Sequence, residues 1–130
     1  MSDTVEYWLD LADYDLETAR AMLSTGRYLY VGFMCHLVIE KALKACYVKV
    51  LGGSPPKTHN LKLLASQTGT DQNMPQKYVD TLNVLRPMNV QGRYPGDMVA
   101  LGRSLTPQKC RSMIEGTQEM LAWIKQQLST

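Results

Sequence analysis

At 130 residues, 45% hydrophobic and 20% charged, the chain is long enough to close one core, short for two ordinary domains, and globular in composition rather than disordered. A net charge of +2 says little about nucleic acid by itself, but its distribution is uneven. Residues 1–17 hold six acids and no base, which leaves 14 bases against 6 acids, a net +8, in residues 18–130; that excess attracts phosphates if the bases share a face.

The first 17 residues lack the basic start and apolar run of a secretory signal. The longest uncharged apolar stretch, 28–39, has 12 residues, well short of the ~20 that span a bilayer. A cytoplasmic protein without a membrane anchor is expected. The three cysteines Cys35, Cys46 and Cys110 have no CxxC spacing and read as reduced core residues. With only His36 and His59 as histidines and no clustered ligands, no metal or other cofactor is expected.

In chain order, Asp3 and Glu6 have the spacing of a capping box, so the first helix is expected to start there. Val5, Trp8, Leu9, Ala12, Leu16, Ala19 and Leu23 step by three or four and draw one apolar stripe, and Gly26 supplies a left-handed stop. From Tyr28 to Leu51 no proline interrupts, and the first half is apolar nearly all round; that pattern predicts a long helix buried among several others or in a subunit interface. The run "GGSPP" ends it. A brief third helix is expected from "NLKLLASQ", stopping at Gly69, and a fourth from Pro75 to Pro87. Residues 87–105 read as a long connection. Thr106 then caps a last helix with Pro107 in its first turn and a stripe from Cys110 to Leu128. No sustained alternation of period two occurs. The expectation is an all-α, up-and-down bundle of four to five helices forming a single domain over residues 1–130.

Polar residues cluster at three places. In the second helix His36, Glu40 and Lys44 lie four apart, on one narrow arc. The arc reads first as an exposed face with a Glu40–Lys44 ion pair; buried surroundings would instead demand partners for its charges. His59 follows the proline-rich loop and precedes the third helix, where Thr58 or Asn60 can cap and Lys57 and Lys62 stand ready for an anion; the alternative is a histidine that packs the loop. In "QGRYPGD", residues 91–97, Arg93 offers a planar bidentate donor and Tyr94 a face for a base or sugar. The structural alternative has Arg93 bonding helix-end carbonyls while Tyr94 and Pro95 seal the bundle. No serine-protease-like context, phosphate loop, HExxH or deaminase signature is present.

Taken in order, "YWLDLADYDLETARAML", "GRYLYVGFMCHLVIEKALKACYV", "HNLKLLA" and "GRYP" resemble the successive signatures of HEPN domains, named for higher eukaryotes and prokaryotes nucleotide-binding. The resemblance implies a compact helical bundle, commonly homodimeric, often encoded beside a small nucleotidyltransferase and frequently part of a toxin–antitoxin pair. Glu40, Lys41, Lys44, His59, Arg93, Tyr94 and Pro95 match the positions by which this branch is recognised. The ribonuclease branch carries a histidine after its arginine with four to six residues between them, whereas Met98, Val99 and Ala100 stand at those positions here. The first expectation is therefore a non-catalytic module that binds a nucleotide or nucleic-acid phosphate through Arg93, Tyr94, His59, Lys44, Glu40 and Lys57. A docking partner of a nucleotidyltransferase with no ligand of its own is the alternative. An endoribonuclease toxin acting on RNA ranks last.

Overall fold

In the computed structural model, residues 4–91 and 93–130 are described, and every regular element among them is helical. Six α-helices follow one another: α1 Val5–Ser24, α2 Tyr28–Leu51, α3 Leu61–Gln67, α4 Gln76–Leu85, α5 Pro95–Ser104 and α6 Pro107–Leu128, with single 3₁₀ turns at Thr70–Asn73 and Arg86–Met88. The all-α class stands, and the expected count of four to five rises to six.

The helix ends follow local chemistry. The cap of α1 is Thr4, whose hydroxyl accepts the Tyr7 N–H at 3.0 Å; Asp3 of the expected capping box lies outside the described residues. At the other end the Arg27 N–H donates to Met22 O at 2.8 Å and the Gly26 N–H to Leu23 O at 3.1 Å, with Gly26 at φ +74°. That is a Schellman stop, and the short connection it leaves lays α1 and α2 side by side as an antiparallel pair.

α2 is the central helix, with α1 and α6 along most of its length and α3, α4 and the Arg86–Met88 turn closing the remaining sides. Its all-round apolar pattern buries Val31, Val38, Ile39 and Leu43 completely. Gly32, the one glycine inside it, admits the Met88 side chain: a Cβ there would stand 2.9 Å from Sδ. The three cysteines are buried and free, and burial pushes the Cys35 thiol up to about 12.

The stretch read as a connection over 87–105 contains α5. Pro95 sits in its first turn, but none of its residues is buried. A helix with no core stripe gives periodicity nothing to detect, and Gly96 and Gly102 disguise it further.

Candidate functional site

His36, Glu40 and Lys44 do not form an exposed face; they are 1%, 3% and 8% exposed. The middle of α2 is enclosed by its neighbours, so polar groups there must find partners inside the protein.

Glu40 gathers them. Its Oε2 accepts from Lys44 Nζ at 3.1 Å and its Oε1 from His59 Nδ1 at 2.8 Å. His36 Nε2 stands 3.4 Å from that same oxygen without a well-directed hydrogen bond. Burial by itself would push the Glu40 carboxyl up. The His36 and His59 rings and the Lys44 ammonium outweigh it and hold the group down at about 2, so Glu40 is a carboxylate at neutral pH. The Lys44 ammonium also lies 5.5 Å from the centroid of the Trp8 ring, whose π-face gives it a second partner.

Each histidine has one fixed nitrogen. His36 Nδ1 donates to the Leu85 carbonyl at 3.0 Å and ties α2 to the last residue of α4. His59 Nδ1 faces a carboxylate, which only accepts, so that nitrogen carries the proton and Nε2 is left for other partners. The loop that delivers His59 is anchored by buried Pro55. Thr58 Oγ1 accepts the Asn60 N–H at 3.1 Å, and Asn60 Oδ1 caps α3 by accepting from the Leu63 N–H at 3.0 Å. Between these two capping residues the His59 side chain is 47% exposed and lines an open groove of about 730 Å³ with Asn60, Leu61, Asn83, Arg86 and Pro87.

Arg93 meets the other polar groups through the segment Leu85–Asn89. Its Nε donates to Asn89 O at 2.9 Å and its Nη2 to Pro87 O, contacts of the kind the structural alternative foresees. Tyr94 is 78% exposed at the start of α5, and Lys57 is exposed with no ion pair among the described residues. The fold thus joins Glu40, Lys44 and His59, adds His36, brings Arg93 to the neighbouring turn, and leaves Tyr94 and Lys57 outside the cluster. Lys41 serves α1 instead, bonding Asp15 at 2.5 Å.

Arg86 and Asn83 are the groove residues that sequence reasoning missed. Arg86 Nη1 lies 3.5 Å from Asn83 Oδ1, and both residues are exposed. Their spacing places them on one face at the end of α4, but nothing in the chain between 61 and 83 announces that this end lies beside His59. A second groove of about 690 Å³ runs between α4 and the start of α6, past Thr81, Val84 and Met113. It has no buried ionised cluster behind it.

Among the described residues no three His, Cys, Asp or Glu side chains come together as metal ligands, and no helix is long and apolar enough to cross a membrane.

The HEPN domain family matches the chain over residues 5–127. The crystal structure of TT1696 from Thermus thermophilus superposes with a TM-score of 0.78 at 24% identity, over 94% of this chain and 96% of that one. The crystal structure of ST0689, an archaeal HEPN homologue, gives 0.76 at 24% identity, over 97% and 98%. No curated protein matches the chain.

Proposed function

Because this chain belongs to the HEPN domain family, we propose that it is a non-catalytic module that binds the phosphate of a nucleotide or nucleic acid, with the groove between the start of α3 and the end of α4 as its binding site. One observation carries the reading: a buried, ionised Glu40 holds the His59 ring by Nδ1 at the lip of a groove that also presents the Arg86 guanidinium. A carboxylate behind an imidazole fixes which nitrogen faces outward, and a guanidinium is the side chain best suited to a phosphate. Arg93 supports this site from the adjacent turn, where it orders the carbonyls of Pro87 and Asn89. No catalytic step is assigned, because Met98, Val99 and Ala100 stand on α5 where the ribonuclease branch carries its histidine.

The test is equilibrium titration of the full chain with AMP, ATP and a short single-stranded RNA. Saturable binding that weakens about tenfold in Arg86→Ala is expected, the size of one charge-assisted hydrogen bond, with a smaller loss in Arg93→Ala. No saturable binding of any of the three by the folded protein would sink the reading.

A second reading, docking onto a small nucleotidyltransferase of a toxin–antitoxin pair in the cytoplasm or onto a second copy in a homodimer, is favoured by α5. That helix buries no residue, Val99 on it is 53% exposed, and Tyr94 at its cap is exposed as well. Solution mass alone and with the adjacent gene's product decides it: a monomer that ignores the partner would remove it.

A further inference from the structure

Resting on the phosphate-binding reading, we infer that the groove selects a terminal phosphate, the phosphomonoester dianion at the end of a nucleotide or oligonucleotide, and that a proton is taken up on His59 Nε2 as the ligand binds. A neutral imidazole has a single N–H, and that of His59 is committed to Glu40 at 2.8 Å. Nε2 then presents a lone pair to the groove, which repels a phosphate oxygen. It becomes a donor only when a proton arrives from solvent.

The ion balance favours that uptake. The charged groups around the ring are Glu40 beneath it, with Lys44 and the His36 imidazole behind that carboxylate as its other neighbours, and Arg86 on the groove wall; Lys57 and Lys62 flank it in sequence. Lys44 is paired with Glu40 on Oε2, so the open edge of the site consists of Arg86 and the incoming His59 cation. A dianion draws in the second positive charge, whereas a diester, with one charge, is matched by Arg86 alone and leaves the imidazole lone pair facing its oxygens. The groove's ~730 Å³ is within the ordinary range for a small-molecule site, and its open mouth lets the nucleoside or the rest of a strand remain in solvent.

Above the ligand's own second ionisation, near pH ~6, uptake of a proton on binding means that affinity rises as pH falls and is lost as pH rises, by up to about tenfold per pH unit in the limit of one proton. Calorimetric titration of the full chain with AMP at pH 8, in two buffers of different ionisation enthalpy, reads the proton count directly; roughly one proton taken up per site is expected. Cyclic AMP, and one oligoribonucleotide with and without a 5′-phosphate, complete the set. AMP and the phosphorylated strand are expected to bind at least about tenfold more tightly than cyclic AMP and the hydroxyl strand. A phosphorylated strand tighter than AMP identifies an RNA end as the source, and the reverse identifies the free nucleotide. In Arg86→Ala the affinity falls about tenfold with proton uptake intact, while His59→Gln removes the uptake. Because the buffer comparison is made on the unmodified protein, the outcome does not depend on that variant folding. Zero proton uptake, or equal affinity for the hydroxyl strand, overturns the inference and leaves the phosphate-binding reading standing. Absence of binding by every ligand overturns both.

Discussion

At Glu40 the cost of burying a carboxylate is set against three nitrogen partners, and the balance has a pH signature. With the folded group held at about 2 against an ordinary 4.5, its contribution to stability is complete above about pH 4.5 and drains away as pH falls toward 2. A shift of that size corresponds to about 3 kcal/mol. Glu40→Gln is therefore expected to lose on the order of 3 kcal/mol in urea unfolding at pH 7, since it also strands the Lys44 charge. The gap to the parent protein should narrow by about half by pH 3 and close only as pH falls to about 2, and a gap independent of pH would show that packing rather than charge is at work. The i, i+4 spacing of His36, Glu40 and Lys44 was legible in the sequence, because helical geometry dictates it. Whether the arc faced water or core was not, since that depends on which helices enclose α2. The His59 partner was hidden more deeply: 19 residues and a proline-rich loop separate it from Glu40, and no local rule spans such a turn.

Among the elements, those that bury many residues in the core could be read closely. α2 runs over the residues its lack of proline implies. α6 begins at the expected Thr106, whose hydroxyl accepts the Lys109 N–H at 3.1 Å, with Pro107 next in its first turn. Thr106→Ala should cost about 1 kcal/mol of stability, the usual worth of such a cap, read as a lower urea midpoint with an unchanged slope; Thr106→Ser should restore most of it. α5 escaped because binary patterning registers only helices that bury something. Residues 91–97 turned out to prepare that helix: Arg93 ties down the turn after α4 and Pro95 opens α5. Gly92, one of the two glycines that bracket Arg93, Tyr94 and Pro95, lies outside the described residues.

Across the whole molecule the acidic start and the basic remainder are partly folded together. Asp13 pairs with Lys125 of α6 at 2.7 Å, and Asp15 pairs with Lys41 of α2, so part of the +8 of residues 18–130 is neutralised by the acidic start. A single small groove with Arg86 and His59 should then give RNA binding a shallow salt dependence, with log affinity falling by about one to two per decade of salt. A slope near ten would point to an extended basic surface instead. The six helices also differ in how firmly they are held: α2 has half of its length in the core, and α5 has no buried residue. Amide hydrogens of α5 are therefore expected to exchange with deuterium while those around Ile39 and Leu43 stay protected, because the first helix can open by itself and the second only by global unfolding. Slowed exchange confined to residues 95–104 would then be the earliest sign that a partner has covered this helix.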